Sequence, residues 1–109
     1  MICLTILYPN GPDAAFNLDY YLNTHTPMAL NRMTPLGLKR LEILSGSASM
    51  DGTSAPYAAI CNLFFENMES MQTTLTTVGA ELGADIPNYC HVTPIFQIGG
   101  LAVAYPNPV

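Results

Sequence analysis

Charge is what this chain has least of. Charged residues make up 10% of its 109 positions, against about 25% in an ordinary soluble domain. Half of the residues are hydrophobic. An isolated globule of this size would lack the polar groups to coat itself, so much of its surface is expected to be a subunit interface, the wall of an apolar pocket, or both. The three basic residues stand against eight acidic ones. Lys39 and Arg40 are adjacent and Arg32 is alone. With no basic patch and a net charge of −5, nucleic acid and anionic membrane surfaces are poor partners.

Long apolar runs are missing too. None approaches the ~18 residues of a membrane span, and the opening MICLTILYPN has neither the basic start nor the small-residue cleavage site of a signal peptide. A cytoplasmic protein without a membrane partner is expected. Cysteines are few: Cys3, Cys61 and Cys90 are odd in number and far apart, with no C-x-x-C and no histidine at metal spacing. Reduced thiols follow, with Cys3 and Cys61 serving as small hydrophobes in strand-like runs. Gly99-Gly100 lacks the spacing of a phosphate loop, and no G-x-G-x-x-G occurs. No Ser/His/Asp or Cys/His arrangement is legible. Neither a metal nor an organic cofactor is expected.

What is present is a regular succession of elements in one domain, residues 1–109. Ile2 to Tyr8 is apolar on both alternations apart from Thr5, as in a central strand covered on both faces. Pro9 to Pro12 forms a loop. Residues 16–37 read as a helix of about twenty residues, staggered at Pro27 and stopped at Gly37. Leu38 to Gly46 is a strand with mixed faces, and Ser45 to Pro56 a small, polar loop. Tyr57 to Phe65 is a second strand with two apolar faces. Asn67 caps a helix in which Met68, Met71, Leu75, Val78 and Leu82 recur at helical spacing, ending at Gly83. Asp85 to His91 reads as a loop and Val92 to Ile98 as an edge strand, since Pro94 cannot donate to a ladder. The tail LAVAYPNPV is an extra edge segment or an arm reaching onto a partner.

This order is βαββαβ, the ferredoxin-like split βαβ pattern of the α+β class. Right-handed crossovers put the first and third strands in the centre of an antiparallel four-stranded sheet, with both helices on one face. The two central strands are apolar on both faces, and no further element is left to cover the second one. A homodimer formed through that sheet face is expected.

The 16–37 stretch carries the chemistry. Asn17 suits the N-cap, Asp19 the positive end of the helix dipole, and Phe16 with Tyr21 a hydrophobic staple. At ~100° per residue, Leu18, Tyr21, Leu22 and His25 share an arc, which Met28, Ala29 and Arg32 extend if the axis continues past Pro27. His25 therefore sits on an apolar face. That setting disfavours its charged form and leaves a neutral imidazole able to take or hand on a proton.

Phe16, Tyr20–Tyr21 and His25-Thr26-Pro27-Met28 resemble the F-x-x-x-Y-Y/W-x-x-x-H-x-P-L signature of the EthD family, named for a protein of ethyl tert-butyl ether degradation. The opening ICLTILYPN, the run LKRLEIL and the closing DIPNY and VTPIFQIGG are also similar to its members, so the resemblance covers most of the chain. It implies a dimeric α/β barrel. The family includes small proteins of uncertain activity and fungal polyketide-tailoring enzymes that work without a cofactor. It also carries a histidine at the place of His25.

The expected site is thus His25 as general acid or base, with Tyr21 one turn earlier offering its phenol to a substrate carbonyl or to the imidazole. Arg32, Met28, Tyr57 and Asn62 are the candidates for substrate binding. The bland alternatives are a structural histidine bonded to a backbone carbonyl, a packing tyrosine, and an arginine that pairs with a surface acid. Tyr20 is expected to point away from His25, and His91 to sit in a surface loop. The expected function is a cofactor-independent acid/base step on a small hydrophobic or aromatic compound, of the lyase or oxygenase kind. A non-catalytic ligand-binding or pathway-accessory homodimer is the alternative.

Overall fold

Leu4, Ile6 and Tyr8 alternate with Cys3, Thr5 and Leu7 along β1 (Ile2–Pro9), giving a strand with an apolar side on each face. In the computed structural model, which describes residues 1–106, this strand lies inside a four-stranded sheet of order β2-β3-β1-β4. The other strands are β2 (Leu38–Ser45), β3 (Tyr57–Phe65) and β4 (Ile95–Gly100). Every pairing is antiparallel. The two-faced strands β1 and β3 are the central pair, in register from Ile2↔Phe65 to Tyr8↔Ala59. The architecture is the ferredoxin-like α+β arrangement read from the sequence.

The helical layer begins with α1 (Leu18–Tyr20), capped by the Asn17 side chain, which accepts from the Tyr20 N–H at 3.0 Å. A wide π-helical turn, Tyr21–His25, follows, and then α2 (Thr26–Met33). The Phe16 and Tyr21 rings meet edge to face at 5.2 Å, as the staple requires. A short 3-10 turn, Thr34–Leu36, ends the segment at Gly37, whose φ is 129°. A Cβ at that position would also push Ser70 Oγ aside, but it is the turn's positive φ that demands glycine. The second helix, α3 (Met68–Asp85), is capped by Asn67 and turns Met71, Thr74 and Val78 into the core.

Three boundaries differ from the sequence reading. The stagger of the first helix lies in the π turn before Pro27, not at the proline itself. Helix α3 runs through Gly83 to Asp85 and continues as a 3-10 turn, Ile86–Asn88. Glycine costs a helix only about 1 kcal/mol, and the packed face on either side overrides it. Strand β4 begins at Ile95, just after Pro94, and occupies a sheet edge. The tail runs from Leu101 to Pro106 without regular structure, and its last three residues lie outside the described ones.

Both helices cover one sheet face. On the other, the register lines up an apolar and a polar row across the four strands. Leu44, Ile60, Leu7 and Ile95 form an apolar row, and Leu44 and Ile95 are 54% and 50% exposed. Glu42, Asn62, Thr5 and Gln97 form a polar one. There Thr5 Oγ1 donates to Asn62 Oδ1 at 2.7 Å, and Asn62 Nδ2 donates to Glu42 Oε1 at 3.1 Å. Arg40 closes the chain by donating from Nη2 to Glu42 Oε2 at 2.9 Å.

Candidate active site

Between the helices and the sheet lies a cavity of about 120 Å³. Its floor is the helix-facing side of the strands: Leu4, Ile6, Leu41, Ile43, Cys61, Leu63 and Phe96. Its roof is Ala29 and Met33 of α2 with Leu75, Gly79, Leu82 and Gly83 of α3. The polar end is formed by Tyr8, Tyr21, His25 and Tyr89.

The π turn sets the roof. Thr26 gives its backbone N–H to the Tyr21 carbonyl five residues back, and its hydroxyl donates to the same oxygen at 2.7 Å. Such a turn inserts about one residue into the helical count. Positions 21, 25, 29 and 33 therefore fall on one line, and all four are buried against the cavity. In a continuous α-helix that line would have drifted toward 28 and 32.

His25 is 8% exposed and has a partner at each ring nitrogen. Nδ1 lies 2.8 Å from Asp85 Oδ2, and Nε2 lies 3.3 Å from the Tyr89 hydroxyl. The Tyr89 and Tyr8 hydroxyls are 2.9 Å apart. Asp85 takes two further donors on Oδ1: the Tyr20 hydroxyl at 2.7 Å and Asn88 Nδ2 at 2.9 Å. Partial burial works to raise the Asp85 pKa. The bonds from Asn88, Tyr20 and His25 outweigh it and hold the carboxyl below its ordinary value. Burial pushes the Tyr8 phenol up to about 12, against the bond from Tyr89, and carries Tyr21 and Tyr89 well above the usual phenol range. It also lifts the Cys61 thiol to about 11, so that floor residue is an inert thiol.

An ionised Asp85 can only accept. It assigns the ring proton of a neutral His25 to Nδ1 and leaves Nε2 as the acceptor, the arrangement a carboxylate gives a general base. Among the described residues no three His, Cys, Asp or Glu side chains gather at metal-binding range.

Of the residues singled out from sequence, His25 and Tyr21 line the cavity, while Met28, Arg32, Tyr57 and Asn62 do not. The Tyr21 ring stacks beside the imidazole at 5.7 Å, but the hydroxyl that meets the imidazole is Tyr89's. Met28 and Arg32 are turned off the line by the π turn. Arg32 pairs with Glu81 at 3.0 Å on the surface, its side chain 57% exposed. Tyr57 stands half-buried at the start of β3, and Asn62 lies on the opposite sheet face. Tyr20, expected to point away from His25, reaches the same carboxylate. His91 is exposed, as expected.

Asp85, Tyr89 and Tyr8 were not among the sequence candidates. Tyr8 was assigned to strand packing, and the other two to a loop. The signal for the latter was a helix running on past Gly83, which places Asp85 and Tyr89 one turn apart on the side that faces α2.

No family model matches the chain, and no curated protein matches it. Solved structures do. An EthD-like protein from Ralstonia eutropha superposes with a TM-score of 0.86 at 27% identity, over 96% of this chain and 95% of that one. An ethyl tert-butyl ether degradation (EthD) family protein from Bacillus halodurans gives 0.73 at 23% identity, over 92% and 97%. A variant of SnoaB, a cofactor-independent oxygenase from Streptomyces nogalater, gives 0.64 at 8% identity over 97% and 96%, a likeness of fold alone. Over more than nine-tenths of its length the chain is similar to EthD-like proteins, and its fold is of the dimeric α/β barrel type.

Proposed function

We propose that the chain binds a small hydrophobic or aromatic compound in this cavity and performs a cofactor-independent acid/base step on it, with His25 as the proton-handling group. The observation that carries this reading is the arrangement of His25. A buried imidazole is fixed by Asp85 at one nitrogen, and its other nitrogen faces the polar end of an apolar cavity. The similarity to EthD-like proteins supports a role on small molecules. Tyr21 contributes a wall of the site. Lyase or oxygenase chemistry in a degradation pathway suits a site with a base and an apolar chamber.

The working unit in this proposal is a cytoplasmic homodimer joined through the uncovered sheet face. The half-exposed Leu44 and Ile95 with Ile60 and Leu7 supply its apolar row. No helix among the described residues is long and apolar enough to cross a membrane.

One observation favours a binding role without turnover. Among the described residues, every buried side-chain nitrogen and oxygen already has a hydrogen-bond partner. The experiment that separates the two readings is a thermal-shift screen of hydrophobic metabolites followed by product analysis of the hits. A ligand at ~100 Kd adds about 2.7 kcal/mol of stability. Hits that are consumed by the wild type and not by His25→Asn establish the acid/base reading. Hits that bind and return unchanged establish the binding one.

A further inference from the structure

Gly83 faces two spaces at once. It lines the cavity under the helices, and it is also exposed on the surface of the protein. A Cβ there would meet nothing within 4 Å, so at this point the cavity wall carries no side chain. Ile86, a turn further along, and Phe96 on the edge strand β4 share this double position. Both line the cavity, yet Ile86 is only half-buried and Phe96 is 52% exposed.

The same three residues line a surface groove of about 470 Å³. Its remaining walls include Pro87, His91, Val92, Thr93 and Pro94. Cavity and groove therefore meet at a gap bounded by one turn of α3 on one side and the Phe96 ring on the other. The gap lies on the helix side of the sheet, since Phe96 stands opposite Ile6 in the register and Ile6 lines the cavity. A second copy on the other sheet face leaves it open. No strand lies beyond β4 among the described residues to close it.

The two spaces suit different parts of one molecule. The cavity's volume of about 120 Å³ is close to the ~150 Å³ of an engineered apolar cavity that takes benzene, which is one ring. The groove is lined by no Asp, Glu, Lys or Arg, and its exposed polar side chains are His91 and Thr93. A charged chain would lose water there without gaining a partner. A neutral one would bury apolar area against Ile86, Pro87, Val92 and Pro94. One helical turn facing one side chain makes a narrow passage, which suits a chain in preference to a second ring.

We propose that the site takes a neutral molecule with a one-ring head in the cavity and an unbranched chain that passes between Gly83, Ile86 and Phe96 into the groove, where it ends in a hydroxyl or another neutral hydrogen-bonding group. This rests on the reading of the cavity as a ligand site. It makes Gly83 a specificity-determining position. The glycine weakens the helix and admits the chain; a long side chain there would confine the site to molecules the size of the cavity.

The test titrates the full-length protein with benzyl alcohol and with 5-phenyl-1-pentanol, which share the ring and differ by four methylenes, and follows NMR signals at both ends of the site. Benzyl alcohol should shift the His25 imidazole and leave the His91 imidazole and the Val92 and Thr93 amides in place. The longer alcohol should shift all of them. A methylene half-buried in the groove is worth about twofold in affinity, so the longer alcohol should also bind at least ~10-fold tighter. In Gly83→Leu that ratio should fall to about one. Shifts at His25 from both alcohols with none in the groove overturn this inference and leave the cavity a ligand site, a result that needs no variant. Shifts in the groove without His25 overturn the continuity of the two spaces. A ratio unchanged in a folded Gly83→Leu overturns the role of Gly83. Binding of neither alcohol overturns the inference too, while the metabolite screen still decides the ligand-site reading.

Discussion

His25 and Asp85 are 60 residues apart in sequence and 2.8 Å apart in the fold. That contact joins the π turn of the first helical segment to the last residue of α3. It gives the imidazole a fixed tautomer and gives Asp85 one of its three donors. Replacing Asp85 by Asn removes the charge while keeping the shape. A loss of about 1.5–3 kcal/mol is expected, the size of a hydrogen bond to a charged group. A urea midpoint unchanged from wild type at neutral pH would show that the contact contributes nothing.

The same pair fixes a pH dependence. The folded Asp85 carboxyl titrates below its ordinary value. Its contribution is therefore complete above the unfolded carboxylate range of ~3.9 and is lost as pH falls through the lower folded value. The stability gap between wild type and Asp85→Asn should close progressively as pH falls below ~3.9. Denaturation curves at stepped pH check this, and a gap that stays open well below ~3.9 contradicts it.

How much of this was legible beforehand differs from element to element. The two-faced strands β1 and β3 announced their central place, because only a covered strand can be apolar on both alternations. The caps at Asn17 and Asn67 and the stop at Gly37 were equally plain, each being a local hydrogen-bonding or steric requirement. His25 stood out as one imidazole on an apolar arc. Its partners did not, because Asp85 and Tyr89 reach it only through tertiary contact, across a helix end that Gly83 seemed to close. Arg32 and Met28 were misplaced for a related reason. A π turn is not written in hydrophobic periodicity, and one inserted residue moves every later position round the axis.

Gly83 offers a test of what α3 gives up for the cavity. It lies within the helix, and a Cβ there would meet nothing within 4 Å. Gly83→Ala should stabilise the fold by about 0.5–1 kcal/mol, since alanine is the better helix former. For a domain of this size that raises Tm by several degrees, about 4–8 °C per kcal/mol. A lower Tm would mean that the space beside Gly83 is filled.

The uncovered sheet face should bring two copies together, burying on the order of 1,500 Å² or more in total. Ile60 lies at the middle of its apolar row, opposite both Leu44 and Leu7. Size-exclusion chromatography with light scattering should find a dimer in the wild type and a monomer in Ile60→Asp. A folded wild-type monomer at micromolar concentration removes the interface.

His25 is tied at both nitrogens, so His25→Asn is expected to cost about 1–3 kcal/mol as well as the site. Stability alone therefore cannot establish its role. NMR of the imidazole nitrogens can, because the chain has two histidines and His91 is exposed on the surface. In the free protein His25 should show the Nδ1–H tautomer. Saturation with a ligand that stabilises the protein and fits within the cavity should shift the His25 Nε2 signal and leave both nitrogens of His91 where they were. A His25 signal that ignores every ligand that stabilises the protein would contradict the account.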